Sequence, residues 1–261
     1  MPDPQIRFDD GAAYEEFMGK WSRLAGTTFL DWLAPPAGWR WADVGCGNGA
    51  FTEMIVQRHA PAIVCGVDPS PEQLAFARHR LAGAPVEFEI GDATALPYAD
   101  SSFDAAVMAL VIFFVPEPAK GVAEMARVVK PGGGVSAYAW DILGGGFPFA
   151  PLQEEMAAEG ITQLPLPSAE ASRTDALRAL WQDAGLVDVD TCVIDVQRTF
   201  ASFDAFWKVA QTGPRVAPRL AGAPSAGIER IKERLRARLP AAADGSFTCG
   251  ARANAIKGRR P

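Results

Sequence analysis

Short apolar runs alternate with helical segments through the first half of the chain. The runs at 62–67 and 103–110 are almost continuously apolar, which is typical of strands covered by helices on both faces. Strands are predicted at 39–44, 62–67, 86–90, 103–110 and 133–140, and helices at 50–59, 70–81 and 119–129. Strands separated by helices at this rhythm form right-handed crossovers, so the pattern predicts a mostly parallel sheet.

The rhythm changes after residue 140. Valines at 187, 189 and 193 alternate with other residues between 186 and 200, which predicts a half-buried strand. The other elements predicted in this half are helices at 152–159, 172–184 and 228–239 and a last strand at 246–257. The helix at 228–239 pairs an apolar stripe with basic residues, a pattern that suits a solvated helix face or a membrane surface.

Composition and charge narrow the class of protein. Of 261 residues, 49% are hydrophobic and 21% are charged, which is typical of a globular domain. The net charge of −6 counts against nucleic acid as a partner. No apolar run is long enough for a membrane span, and the first residues lack the pattern of a secretory signal. We therefore expect a cytoplasmic protein, a monomer or homodimer, without stable membrane insertion.

The four cysteines show no spacing typical of a metal site or a disulfide framework. We therefore predict no bound metal. They are expected to be reduced thiols, and the thiol of Cys46 is expected to be inert.

The segment that carries candidate chemistry follows the first predicted strand. After Asp43, glycines stand at alternate positions, Gly45, Gly47 and Gly49. Alternate glycines allow positive φ angles and let a ligand approach the backbone without meeting a Cβ atom. A loop of this kind between a strand and a helix is typical of a nucleotide-like cofactor site. The spacing also fits a dinucleotide loop, so the loop alone leaves the cofactor open.

Two further carboxylates follow neighbouring predicted strands. Asp68 ends the second strand, where a carboxylate can accept hydrogen bonds from both ribose hydroxyls. An NAD site would have the same feature. Asp92 comes directly after the third strand, where it can accept a hydrogen bond from an adenine amino group. Together the three segments predict an adenosine-containing ligand at the carboxyl edge of the sheet.

Five segments occur in one order between residues 39 and 140. They are DVGCGNG at 43–49, DPS at 68–70, GDA at 91–93 with LP at 96–97, SFD at 102–104 and EMARVVKPGG at 124–133. With these segments the chain resembles the class I S-adenosylmethionine (SAM)-dependent methyltransferases, in the methyltransferase-11 or UbiE-like small-molecule branch.

The resemblance implies a fold and a domain organisation. The fold is α/β, a Rossmann-like three-layer sandwich whose seven-stranded, mostly parallel sheet ends in a C-terminal antiparallel hairpin beside an accessory helical cap. An N-terminal helical flap would occupy residues 1–38. The methyltransferase domain would occupy 39–261, with cap inserts at about 141–170 and 201–245.

The resemblance also implies which residues contact SAM. They are Tyr14, Met18 and Trp21 in the flap, Asp43, Gly45, Cys46 and Gly47 in the glycine loop, Asp68 and Pro69 after the second strand, Asp92 and Ala93 after the third, and Leu110 after the fourth. Asp43 would order the loop and reach the amino group of SAM. The alternative for the flap is an amphipathic helix packed on the sheet, with Phe17, Trp21, Leu24 and Thr28 on one stripe.

The activity implied is methyl transfer from SAM to a small, largely apolar metabolite, with S-adenosylhomocysteine (SAH) as product. A protein that binds SAM without turnover is one alternative. An NAD(P)-dependent oxidoreductase is a second, although it would continue with another βαβαβ half, which the pattern lacks.

The acceptor side is less well defined. Many relatives carry histidine after the fourth strand, but Phe113 and Phe114 stand there in this chain. These two phenylalanines and Trp140 are predicted to line the acceptor pocket. Further aromatic candidates for the pocket are Phe147, Phe149, Phe203, Phe206 and Trp207. For Phe203 and Phe206 the alternative is a small core of the cap itself.

No catalytic residue is assigned. His59 and His79 are predicted to lie away from the ligand edge. Tyr138 and Asp141 remain as polar candidates near that edge, and Asp141 is equally suited to cap a turn.

Overall fold

A single seven-stranded sheet organises the computed structural model, which describes residues 15–163, 165–239 and 241–261. Its strands are β1 (Arg40–Val44), β2 (Ile63–Asp68), β3 (Val86–Ile90), β4 (Phe103–Ala109), β5 (Val129–Trp140), β6 (Val187–Phe200) and β7 (Phe247–Arg259). Their order is β3-β2-β1-β4-β5-β7-β6. The first five strands run parallel, and β7 lies antiparallel between β5 and β6. The predicted sheet and its C-terminal hairpin are confirmed.

Helices cover the sheet, and others form the two inserts, the first between β5 and β6 and the second between β6 and β7. The helices are α1 (Lys20–Leu33), α2 (Ala50–His59), α3 (Pro71–Arg80), α4 (Pro118–Val128), α5 (Ala150–Ala158), α6 (Thr174–Asp183), α7 (Phe203–Ala210), α8 (Ala217–Ala221) and α9 (Ser225–Arg238). A short π-helical turn, Glu15–Gly19, precedes α1. Helix α1 packs against α2, and α4 packs against α6. None of these described helices is both long and apolar enough to cross a membrane.

Capping explains where several helices begin. The Ser70 hydroxyl accepts a hydrogen bond from the Gln73 amide at 3.2 Å, and Pro71 occupies the first position of α3. Ser202 caps α7 in the same way through the Ala205 amide. These contacts satisfy amide groups that a helix leaves without an internal partner.

Strand β5 begins four residues earlier than the predicted start at residue 133. Gly132 has a φ of +79°, which distorts the strand at this point. The strand continues beyond it because the register with β4 shifts between Phe103 and Ala105 and so accommodates the irregularity. The Gly132 amide bonds to the carbonyl of Arg260 at 2.8 Å. A proline and three glycines predict a turn, but pairing on both sides keeps this segment in the sheet.

The side-chain alternation along β6 changes at a bulge. Asp188 has a φ of +51°, and the register with β7 shifts between Val187 and Asp190. Beyond this bulge Val193 is 53% exposed, whereas Ile194 is buried. An extra residue turns the following side chains to the other face of a strand. The predicted half-buried strand is confirmed, but Val193 lies on its exposed face, whereas Val189 packs partly buried against the core.

Helix α1 is amphipathic, but its buried stripe differs from the prediction. Trp21, Ala25 and Phe29 are fully buried, while Leu24 is 40% exposed and Thr28 is also exposed. Burial therefore follows a spacing of four residues, which brings one face of α1 onto the sheet. The helix also packs closely at Gly26, where an added Cβ would lie 3.1 Å from the Tyr138 hydroxyl.

The two inserts are joined by ion pairs between α5 and α9. Glu155 bonds Arg234 at 2.6 Å and Arg238 at 2.9 Å, and Glu159 bonds Arg230 and Arg234 at 2.7 Å each. The arginines recur every four residues and so share one helix face. That face of α9 is therefore turned toward α5.

Trp181 holds α6 against the sheet, and its replacement tests how much this contact stabilises the fold. The ring is fully buried and its Nε1 donates to the Val135 carbonyl at 3.0 Å. We expect Trp181→Phe to lower the free energy of unfolding in urea by about 1–3 kcal/mol, because a buried carbonyl loses its partner. Trp32→Phe, a half-buried indole, is the matched control. Equal losses in the two variants would contradict this interpretation.

Candidate functional site

The glycine loop after β1 is fixed to the neighbouring strand. The amides of Gly45 and Cys46 donate to the Val67 carbonyl at 2.7 and 3.1 Å. Gly45 has a φ of +77°, and a Cβ there would lie 2.5 Å from the side chain of Val111. A side chain at this position would therefore strain the backbone and collide with the segment after β4.

Gly47 differs from Gly45 because it borders open space. Its φ is +52°, and a Cβ there would meet only Gln73 Oε1, at 4.0 Å. The loop is thus anchored at one glycine and accessible at the next. This is the arrangement that a ligand lying on backbone requires.

Asp68, at the end of β2, reaches the same loop. Its Oδ2 accepts from the Gly47 amide at 2.9 Å, and its Oδ1 accepts from the Ser70 amide at 2.9 Å. Each carboxylate oxygen can accept a second hydrogen bond, so both could also receive a ribose hydroxyl. Burial raises the pKa of Asp68 above its usual value, against the effect of the two amides.

Asp43 is a fully buried carboxylate beneath the loop. Its Oδ2 accepts from the Thr52 hydroxyl at 2.6 Å, and its Oδ1 has no partner among the described residues. Burial, assisted by the charge of Asp68, raises the pKa of Asp43 to about 7. The Nδ2 atom of Asn48 is likewise buried without a partner in the described part of the chain. The loop thus holds one hydrogen-bond acceptor, Asp43 Oδ1, and one donor, Asn48 Nδ2, that lack partners within the ranges that the structure describes. Such a pair fits a ligand that carries both an amino and a carboxylate group, such as the methionine part of SAM.

Asp92 follows β3 at the same edge of the sheet. Its Oδ1 accepts from the hydroxyl and the amide of Thr94 at 2.6 and 2.7 Å, and these two bonds lower the pKa of Asp92. Asp92 therefore stays an acceptor at neutral pH, as an adenine amino group would need. Ala93 beside it is half-buried.

Leu110 closes the fourth strand in a strained conformation. Its φ is +62°, and its amide donates to the Tyr138 carbonyl at 2.8 Å. Pro69, by contrast, is exposed at the end of β2. A positive φ at leucine is uncommon and tends to occur at functional sites.

The structure brings three sequence-predicted segments together directly. Asp68 bonds the glycine loop, and Val111, next to Leu110, packs against Gly45. Asp92 lies at the carboxyl edge because β3 runs parallel to β2. In the flap, Met18 and Trp21 are buried, and Tyr14 lies outside the described residues. Contact of these flap residues with a cofactor stays a prediction.

Cys46 is buried in the loop. Burial and the charges of Asp43 and Asp68 raise the pKa of its thiol well above its usual value. The side chain stays protonated at neutral pH, so it is a poor nucleophile.

Sequence reasoning missed the residues that support this loop. Thr52 holds the Asp43 carboxylate, and Arg80 donates to Asn48 Oδ1 at 3.2 Å. A threonine in the first turn of the helix after a glycine loop is a signal that could have identified Thr52. Arg80 carries no such signal, because only the packing of α3 brings it to the loop.

The predicted acceptor residues lie under the first insert. Phe113 and Phe114 form a short 3₁₀ turn, Ile112–Phe114, with ring centroids 4.6 Å apart. Ser168 covers this turn, since its amide donates to the Phe113 carbonyl at 3.1 Å. Trp140, at the end of β5, is 1% exposed. Whether these rings contact an acceptor stays a prediction.

The polar candidates near the edge have structural roles. Asp141 Oδ1 accepts from the Gly144 amide at 3.1 Å and so caps a turn. Tyr138 packs its ring against Phe29, with centroids 4.6 Å apart, on the side of α1. His59 ends α2, about 15 Å along the helix from the loop. His79 is exposed on α3.

Comparisons with known proteins identify the family that the chain resembles. A protein-family profile described as a methyltransferase domain matches residues 42–137. The trans-aconitate 2-methyltransferase of Methylobacterium nodulans is 35% identical over 194 residues, 73% of this chain and 71% of that protein. The demethylmenaquinone methyltransferase of Clavibacter sepedonicus is 42% identical over 102 residues, 39% of this chain, and the chain covers 41% of that relative's length.

A solved structure shows the same fold. The Haemonchus contortus phosphoethanolamine N-methyltransferase 2, in complex with S-adenosyl-L-methionine, superposes with a TM-score of 0.61 at 19% identity. The match covers 99% of this chain and 59% of that one.

Replacing Asp68 tests the ribose assignment. We expect Asp68→Ala to weaken SAH binding in calorimetry by about 1.5–3 kcal/mol, the range for hydrogen bonds to a charged group. Glu87→Ala removes an exposed carboxylate from the adjacent strand and should leave the affinity unchanged. An unchanged affinity in the Asp68 variant would refute the assignment.

The raised pKa of Asp43 predicts a pH-dependent affinity. Below pH 7 the free protein holds a proton on Asp43 that must leave before the carboxylate can attract the amino group of SAH. We expect full affinity above pH 7 and a loss of up to about tenfold per pH unit below it. Asp43→Asn, which keeps an oxygen for Thr52, should abolish this dependence. A pH profile that is identical in both proteins would contradict the role of Asp43.

Proposed function

The chain belongs to the class I SAM-dependent methyltransferases of the methyltransferase-11 or UbiE-like branch, and from that premise we propose that it methylates a carboxylate of a small organic acid. SAM supplies an electrophilic methyl group, and SAH is the product. The residues of this chain must hold the donor, align the acceptor and exclude water.

The observation that carries the proposal concerns the residues at the predicted acceptor edge, where the described part of the chain places no general base. Hydroxyl and carbon acceptors need a proton removed during transfer, whereas a carboxylate is ionised at neutral pH. Phe113 and Phe114 occupy the segment after β4, and Asp141 is engaged in a turn. An acceptor that arrives as an anion requires nothing further from these residues.

A carboxylate acceptor needs a cation, and the second insert offers one. Arg215 is half-buried, and burial lowers its pKa. Among residues 15–163, 165–239 and 241–261 its guanidinium makes no ion pair. The turn that carries it abuts the flap, since a Cβ at Gly213 would lie 2.7 Å from the Phe17 ring. A partly buried cation without a counterion is costly, and a bound carboxylate would offset that cost.

The lengths of the two sequence matches support an organic acid, and not a quinol, as the methyl acceptor. The match to the demethylmenaquinone methyltransferase covers 102 residues, whereas that to the trans-aconitate methyltransferase covers 194 and so extends well beyond the cofactor half. Acceptor contacts are expected outside the cofactor half. The aromatic rings expected at the pocket suit a planar, unsaturated carbon skeleton, which keeps the acceptor partly apolar.

Binding of SAM without turnover is the second candidate, because the absence of a placed base is compatible with it too. The oxidoreductase alternative is not retained, since β7 inserts antiparallel between β5 and β6 in place of a second βαβαβ half. A cytoplasmic monomer or homodimer acting without nucleic acid remains part of the proposal.

A panel of acceptors tests the proposal. The protein is incubated with SAM and either trans-aconitate, other small unsaturated acids, or a phenol and a quinol, and SAH release is measured. With SAM kept saturating at every pH, we expect methyl-ester formation with the acids at a rate that stays flat between about pH 6 and 9, because the nucleophile is ionised throughout. Methylation of the phenol or quinol alone would overturn it, and SAH binding without product from any acceptor would favour the second candidate.

Replacing Arg215 tests whether its guanidinium binds the carboxylate of the acceptor. We expect Arg215→Gln to raise the KM for the acid by about tenfold or more, as for a lost hydrogen bond to a charged group, with a smaller change in kcat. Arg236→Gln removes an exposed arginine that pairs with Asp204 and should change neither constant. An unchanged KM in the Arg215 variant would refute this assignment while leaving the proposed reaction open.

A further inference from the structure

The described part of the predicted flap, which begins at Glu15, carries a carboxylate that reaches two separate helices. Oε1 of Glu15 accepts from Arg23 on α1 at 3.0 and 3.1 Å, and its Oε2 accepts from Arg80 at 2.9 Å. Arg80 is the last residue of α3, far from Glu15 in sequence. The carboxylate therefore fastens the start of the flap to the helix that follows β2.

Arg80 contacts the cofactor loop with its other terminal nitrogen. Its Nη1 atom donates to Asn48 Oδ1 at 3.2 Å, while its Nη2 atom donates to Glu15 Oε2 at 2.9 Å. The same Asn48 oxygen also accepts from the Ala50 amide at 3.2 Å, at the start of α2. One guanidinium thus links the flap to the end of the glycine loop.

This contact is shielded from solvent. The side chain of Arg80 is 11% exposed and that of Glu15 is 26% exposed, compared with 57% and 61% for the Lys20–Glu16 pair on the same segment. Shielded pairs are screened less by water and salt than exposed ones. Although burial raises the pKa of Glu15, its bonds to Arg80 and Arg23 outweigh burial and lower it, so the carboxylate is ionised at neutral pH.

The backbone of the flap is shaped around the same carboxylate. An added Cβ at Gly19 would lie 2.5 Å from the Glu15 carboxyl carbon, so glycine leaves the room in which Glu15 folds back. The turn Glu15–Gly19 is π-helical, a form that often marks functional segments.

We propose that Arg80 is a positioning residue that holds the flap closed over SAM and ties that closure to the conformation of the glycine loop. Arg80 is not expected to touch the methyl group or the acceptor. The cofactor would leave only after the Glu15–Arg80 pair opens. This inference rests on the SAM site of the proposed function and not on the identity of the acceptor, so SAH alone can test it.

The experiment measures SAH affinity and release rate for the wild type, Arg80→Gln, Glu15→Gln and the double variant. We expect each single variant to bind SAH at least about fivefold more weakly, chiefly through faster release, as for typical coupling between sites. The double variant should be weakened by less than the product of the two single effects, because both substitutions remove the Glu15–Arg80 pair. Arg80→Lys should recover part of the affinity, and added salt should speed release from the wild type more than from the variants.

Glu16→Gln is the matched control, since it removes an exposed carboxylate one residue away and should leave both constants unchanged. Glu15→Gln changes only the flap side, so it keeps the test valid if Arg80→Gln does not fold. Effects that multiply in the double variant, or wild-type release rates in a folded Glu15→Gln, would overturn the inference. Absence of SAH binding to the wild type would instead contradict the proposed function.

Discussion

The hydrogen bond from the Gly47 amide to the Asp68 carboxylate is the contact on which the cofactor site depends. It joins the loop after β1 to the end of β2, and the Ser70 amide binds the second oxygen of the same carboxylate. A single acidic side chain therefore sets the shape of the loop and the start of the next helix. Parallel strands make this possible, because their carboxyl ends meet at one edge of the sheet.

Charge is distributed unevenly around that loop. Asp43 is buried with one oxygen bonded to Thr52 and the other without a partner in the described chain, so its ionisation depends on what lies beside it. Arg80 and Glu15, in contrast, form a shielded pair whose members are both satisfied. The carboxylate of Asp43 can bind a ligand through its second oxygen. The Arg80–Glu15 pair can keep its geometry whether or not a ligand is bound.

The predicted acceptor pocket, unlike the cofactor loop, is lined mainly by apolar side chains. Phe113 and Trp140 are almost completely buried beneath the first insert, and the second insert adds Arg215 beside the flap. Apolar walls provide shape and exclude water but supply no proton transfer. The proposed acceptor, which is already ionised and would be held by one cation, requires no proton transfer from such walls.

Local patterns were sufficient for most of the sheet and for the glycine loop, because periodicity, helix caps and strand-end carboxylates act over a few residues. The helix at Ala50–His59 and the strand at Val86–Ile90 occur where the pattern predicts them. Long-range packing decided the exposed face of β6 and the residues that support the loop. The bulge at Asp188 shifted the register of β6 against β7, and the packing of α3 brought Arg80 to Asn48. Such contacts join residues distant in sequence, and no local signal reports which distant partner will be adjacent.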